Sequence, residues 1–159
     1  MTTENVLDAL KRHPFARGLP DAHLDQLASL AKVVHIGNDE ILFREGEQNS
    51  KFYLIVEGPV ALEVTLPRRM LQVQRLGPGD GLGWSAALVG RGKYFQARAL
   101  DEVEALTFEG AEVLDACQKD PAFGFAFMMR LLDVVSKRMQ ATRMQLLDMH
   151  SPVARQAGV

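Results

Sequence analysis

The chain has 159 residues, 47% apolar and 24% charged, with 18 basic against 20 acidic side chains and a formal net charge of −2. That length and composition fit one globular domain, or one domain plus an appended element, with a core of its own, and argue against global disorder. The near-balanced charge leaves no broad cationic field to hold a nucleic-acid backbone non-specifically.

Residues 1–32 read as N-terminal helices. Val6, Leu7 and Leu10 share one face of a short segment that stops near Pro14, and Pro20-Asp21 opens a second on which Leu24, Leu27, Ala28 and Ala31 recur at helical spacing. From 33 to 108 the period changes to two. Val60, Leu62, Val64 and Leu66 alternate with Ala61, Glu63 and Thr65, the pattern of a half-buried strand, and Phe52, Leu54 and Val56 alternate likewise. Further strand-like runs are Ile41–Phe43, Leu71–Leu76, Phe95–Leu100 and Val103–Phe108, separated by turn signals such as Gly37-Asn38-Asp39, Gly58-Pro59 and the glycines from Gly77 to Gly81. Many short strands with close punctuation predict a small antiparallel barrel or jelly roll, and nothing alternates as βαβ.

Residues 109–150 return to helical spacing. Val113, Leu114 and Cys117 mark a short helix, and Asp120-Pro121 starts the longest periodic stretch of the chain, ended by Ser151-Pro152. Residues 151–159 read as a frayed tail. Within the long stretch Phe125, Met128, Leu132, Val135, Met139, Thr142, Leu146 and Met149 follow alternating steps of three and four, a coiled-coil seam. Phe127, Leu131 and Val134 form a separate stripe suited to packing on the strands. About 29 residues at 1.5 Å each span roughly 43 Å, whereas a compact domain of this length has a radius of gyration near about 15 Å. The distal seam therefore outruns its own domain, and a second copy of the helix is the expected partner.

Motifs for catalysis are missing. The sequence holds no nucleophile elbow, zinc-protease motif or P-loop, and the two-apart glycines 77, 79, 81 and 83 do not match the dinucleotide fingerprint. No catalytic residue is assigned, and an enzyme is not expected. Cys117 stands alone, and His13, His23, His35 and His150 are scattered, so neither a disulfide nor a metal site is expected. No apolar run approaches the roughly 20 residues of a membrane span, and acidic residues stand where a signal peptide carries its apolar stretch. A cytoplasmic protein without a membrane partner is the expectation.

The stretch from Leu76 to Ala99 carries the one chemical signal. Gly77 to Gly83 form a turn leading into a short helix at Ser85-Ala86-Ala87-Leu88, whose free N–H groups suit an anion, with Arg91 and Lys93 nearby as counter-charge. A purely structural turn explains the same residues.

The order of these motifs resembles the cyclic-nucleotide-binding domains of the catabolite-activator and kinase-regulatory type. Phe43–Val64 is similar to that family's β-barrel pattern, with Gly46 and Gly58 at its turn positions. Leu76–Asp80 resembles the turn before the phosphate cassette, Gly83 onward the cassette (77–99 with its flanks), and Ala97-Arg98-Ala99 the strand after it. The resemblance spans roughly residues 15–148. It implies an α+β fold: an eight-stranded antiparallel jelly-roll barrel with flanking helices and a long C-terminal dimerisation helix.

Its departures bear on the ligand. Where the family's cassette reads Gly-Glu-(Leu/Ile)-Ala-Leu, with the glutamate on the ribose 2′-hydroxyl, this chain has Gly83-Trp84-Ser85-Ala86-Ala87-Leu88. Lys93 stands for the arginine that pairs with the cyclic phosphate, keeping the charge but not the bidentate fork, and Tyr94 follows it in place of Ser or Thr. Losing the carboxylate removes a hydrogen bond worth roughly 1.5–3 kcal/mol, about ten- to a hundredfold in affinity. Trp84 either stacks on a ligand or fills the pocket. Arg138–Thr142 resembles the stretch of the activator's dimerisation helix whose threonine, with the next residue, meets the adenine base; Thr142 matches and Arg143 replaces the serine.

The resemblance thus implies a stand-alone regulatory sensor, homodimeric through its C-terminal helix, with cAMP or cGMP as a weakly held ligand at Gly83, Trp84, Ser85, Ala86, Ala87, Lys93, Tyr94, Thr142 and Arg143. Direct DNA binding is not expected, since only 151–159 follow the helix. Two alternatives remain: a structural dimer module whose pocket Trp84 fills, and a sensor of another small anion.

Overall fold

Alternation along two central strands organises the molecule. In the computed structural model, which describes residues 3–150, β3 (Lys51–Glu57) and β8 (Val103–Glu109) run antiparallel with Leu54 opposite Leu106. Phe52, Leu54, Leu106 and Phe108 enter one core, shared with the helices. Tyr53, Ile55, Val103 and Ala105 enter a second, between the sheets. A period of two therefore serves two cores at once, and Phe52–Ile55 are all buried.

Around this pair the strands form two four-stranded sheets, every pairing antiparallel. β1 (Lys32–Ile36), β8, β3 and β6 (Gly81–Leu82) make the first; β2 (Ile41–Phe43), β7 (Gln96–Ala99), β4 (Val60–Leu66) and β5 (Arg69–Leu76) make the second. The expected single closed barrel is instead a pair of facing sheets, because β5 and β6 end their sheets as edges without pairing to each other. β1 lacks clear alternation, and β6, two residues within the glycine turn, is a strand only through its pairing with Tyr53 and Leu54. β4 also departs from the half-buried pattern: Ala61 and Glu63 are buried with their neighbours. Arg98 grips both oxygens of the Glu63 carboxylate, at 3.1 and 2.9 Å, and Gln96 donates to it at 3.1 Å. The guanidinium first, and the amide after it, hold that carboxyl below its ordinary pKa.

Helices α1 (Thr3–Arg12), α2 (Asp21–Leu30), α3 (Gly110–Lys119) and α4 (Pro121–Met149) cover the first sheet. Asp120 caps α4 by accepting the Phe123 N–H at 3.2 Å, with Pro121 in the first turn. Phe127 and Leu131 are buried in the helix-side core, where Phe127 meets Phe15 edge-on at 5.4 Å. Leu131 is the last buried residue of α4, and Met139 to His150 are all exposed. The expected tail lies outside the described residues. Among those described, no helix is long and apolar enough to cross a membrane, and no group of potential metal ligands gathers.

His13 locks the end of α1 onto β3. Its Nε2–H donates to the Ile55 carbonyl at 3.0 Å while Nδ1 accepts the Phe15 N–H at 3.1 Å, a pattern that requires the neutral ring. Burial lowers its pKa, partly opposed by the Ile55 carbonyl and Asp80. With the native pKa below the unfolded value of about 6.5, the unfolded state binds the proton more readily. This stabilisation is complete above about 6.5 and is lost as pH falls from there through the lowered native value. Urea unfolding between pH 7.5 and 5 should show that decline. His13→Gln, whose amide still reaches the Ile55 carbonyl, should flatten it; an unchanged slope would show that His13 is not its source.

Candidate functional site

The cassette-like segment begins where β6 ends. Gly83 has φ +87°, and a Cβ there would lie 2.7 Å from the Lys51 carbonyl oxygen and 2.8 Å from Lys93 Nζ, so only glycine fits. The chain then makes one wide π-type turn at Ser85–Val89 and reverses at Gly90, φ +75°. The return is pinned to the Gly46 turn: Gly46 N–H donates to the Lys93 carbonyl at 2.7 Å, and Lys93 N–H to the Glu47 carbonyl at 3.0 Å.

Lys93 points inward. It is 2% exposed, its Nζ donates to the carbonyls of Lys51 at 2.7 Å and Gly83 at 2.5 Å, and it lies 4.7 Å from the centroid of the Phe43 ring. Burial lowers its pKa to about 8, with Glu47 opposing the shift. Ser85 is also buried and donates to the Gly92 carbonyl at 3.4 Å. Trp84 is half-buried and meets the exposed Tyr94 edge-on, ring centroids 5.8 Å apart. Between them remains a cavity of about 40 Å³, lined by Gly83, Trp84, Ser85, Lys93 and Tyr94 together with apolar side chains and Arg138.

The other expected site residues lie apart from that cavity. Ala87 packs in the helix-side core, next to Gly110, and Ala86 belongs to the same turn. Thr142 and Arg143 line a shallow groove of about 350 Å³ along α4, where they meet Trp84 and the seam residues Val135, Met139 and Leu146. Trp84 thus stands between the cavity and the groove. Arg138 does so too, and it escaped the site assignment although it opens the Arg138–Thr142 stretch. Its Nη2 donates to the Gly81 carbonyl at 2.7 Å, while its own carbonyl accepts from Gln74 at 3.5 Å. Gln74 also donates to Thr142 Oγ1 at 3.2 Å, and Gln145 donates to the Val73 carbonyl. Through these bonds α4 straps both open edges, β6 of one sheet and β5 of the other.

Comparison with known proteins agrees with this architecture. The family model described as the cyclic nucleotide-binding domain matches residues 33–120. A solved cyclic nucleotide-binding domain from Methylobacillus flagellatus is 17% identical, with a TM-score of 0.81 over 92% of this chain and 83% of that one. The catabolite activator protein of Thermus thermophilus is 20% identical, with a TM-score of 0.71 over 86% of this chain and 63% of that one. The regulatory domain of Toxoplasma gondii PKA, solved with cAMP, is 18% identical, with a TM-score of 0.63 over 74% of this chain and 46% of that one. At these identities the likeness is one of fold. No curated protein matches the sequence.

Proposed function

Because this chain belongs to the cyclic nucleotide-binding domain family, we propose that it is a regulatory sensor domain, dimeric through α4, that binds cAMP or cGMP weakly. The proposed site is the Gly83–Ala87 turn with Lys93 and Tyr94, closed by Trp84 and faced by Thr142 and Arg143. The observation that carries the weakness is the 40 Å³ cavity, against about 300–1,000 Å³ for a ligand pocket. A nucleotide must first displace the Trp84–Tyr94 pair and draw Lys93 from its two carbonyls. The rarity of that open state subtracts directly from affinity. Ligand entry beside Arg138 would also alter the strap that holds α4, which is how binding becomes a change in helix position.

The same small cavity supports the second reading, a structural dimer module that Trp84 keeps closed. Titration separates the two. Trp84 is the only tryptophan, so cAMP and cGMP should change its fluorescence, with calorimetric dissociation constants about micromolar or weaker. Trp84→Glu, which removes the plug and supplies the carboxylate of the family pattern, should tighten cAMP binding about ten- to a hundredfold. Nanomolar binding by the unaltered protein would contradict the weak-sensor reading. Silence of the unaltered protein to millimolar nucleotide, with binding appearing in Trp84→Glu, would establish the module that Trp84 keeps closed, and silence of both would rule out the sensor reading.

A further inference from the structure

A larger concave site lies on a different face of α4. Arg130, Val134, Arg138, Ala141 and Gln145 recur at steps of three and four along that face and, with Lys137, wall a groove of about 500 Å³. Its other wall is the β5 edge at Gln74–Leu76 and the Gly79–Gly81 turn. This is about twelve times the cassette cavity and within the size range of small-molecule pockets.

Its lining carries more basic than acidic side chains. Arg75, Arg130 and Arg138 line the groove, and among the described residues none has a carboxylate within ion-pair distance. Of the two acids that line it, Asp133 pairs with Lys137 at 2.9 Å, and Asp80 accepts the Gly77 N–H at 2.9 Å while its charge still acts on Arg138, so the lining stays net positive. Arg138 is held by the Gly81 carbonyl, and Arg130 donates to the Arg17 carbonyl at 2.8 Å, so both guanidinium groups are positioned before any ligand arrives. One carboxylate is satisfied by a single guanidinium fork, whereas a phosphoryl group offers oxygens for several. Val134 and Met144 add an apolar wall for an organic remainder.

We propose that the groove between α4 and the β5–β6 edges is a second binding site, adjoining the cassette cavity at Arg138, for a small phosphorylated anion held by Arg75, Arg130 and Arg138. It does not depend on the cassette's binding a nucleotide. An anion there bridges α4 to both sheet edges and so favours the docked position of the helix.

Amide shifts of the ¹⁵N-labelled protein, titrated with inorganic pyrophosphate and separately with ATP, test this. Saturable shifts are expected at 74–81 and 130–141. The double variant Arg75→Ala, Arg130→Ala should weaken pyrophosphate about tenfold or more while leaving the spectrum otherwise intact and any cAMP-induced shifts at 83–94 unchanged. Should the double variant fold poorly, Arg75→Glu at its exposed position should give the same loss alone. Tighter binding of ATP than of pyrophosphate identifies an organic phosphate as the ligand class, and equal binding an inorganic one; both support the site. No saturable shift in the groove at millimolar probe, or shifts indifferent to these substitutions, would overturn it.

Discussion

Gly110→Ala should lower the thermal midpoint by about 6–12 °C, from a loss of about 3 kcal/mol at roughly 2–4 °C per kcal/mol. Gly110 opens α3 directly after β8, and its N–H donates to the Ser50 carbonyl at 3.0 Å. A Cβ there would lie 1.8 Å from the Ala87 carbonyl oxygen and 2.5 Å from its carbon. The obstacle is backbone, which cannot rotate aside as a side chain does. α3 and the cassette turn would have to separate, disturbing the core that holds Ala87 and Val113. Helix propensity acts in the opposite direction, since alanine is favoured over glycine by about 1 kcal/mol within a helix. The steric cost is the larger, so the net sign is destabilising. Gly77→Ala is the matched control: nothing lies within 4 Å of a Cβ there, and calorimetry should find it near neutral. An unchanged midpoint for Gly110→Ala would disprove the close packing of α3 on the cassette.

Sedimentation at micromolar concentration should find a dimer, and Leu132→Glu with Met139→Glu should convert it to a monomer. The seam is apolar and uncovered: Phe125 is 72% exposed, Leu132 59%, Met139 68% and Leu146 53%. Isolated exposed apolar residues are ordinary, but a continuous stripe of them at coiled-coil spacing is a surface for a partner helix. A second copy of α4 presents the same stripe, as a two-fold interface requires. Burying the two altered positions of each protomer contributes about 1.5 kcal/mol per side chain, about 6 kcal/mol in all. That corresponds to roughly four decades of dissociation constant, before any charge repulsion. Gln140→Glu, off the seam, should leave the dimer intact. A monomeric unaltered protein would refute the seam as a dimer interface.

Much of the architecture was legible because it is written locally. Asp120-Pro121 marks the start of α4, and the stripe of Phe127 and Leu131 does pack into the helix-side core, since helical period and capping depend on residues within one or two turns. The glycine pattern around Gly46, Gly58 and Gly83 pointed to the family for the same reason: Gly46, Gly58 and Gly83 all have positive φ, a backbone demand visible in the residue type.

Alternation in β3 and β4 revealed strands but not how many faces they bury. That depends on what lies across each face, and Glu63 is buried only because Arg98 and Gln96 reach it from another strand. β6 is a strand by virtue of its pairing, not its composition.

The site divides along the same line. Residue types placed a cation and an aromatic side chain in the segment from Leu76 to Ala99, and the family resemblance implied that Thr142 on the long helix faces an adenine. Only the tertiary structure decided where they end. Lys93 turns to carbonyls of Gly83 and of Lys51, the latter 42 positions away in the chain, and Trp84 meets Tyr94 over a cavity too small for a nucleotide. Arg138 faces both the cavity and the groove because α4 crosses two sheet edges that come together only on folding. Periodicity and turn chemistry are properties of neighbours in sequence. The reach of a long charged side chain, and the volume left between elements, are properties of neighbours in space.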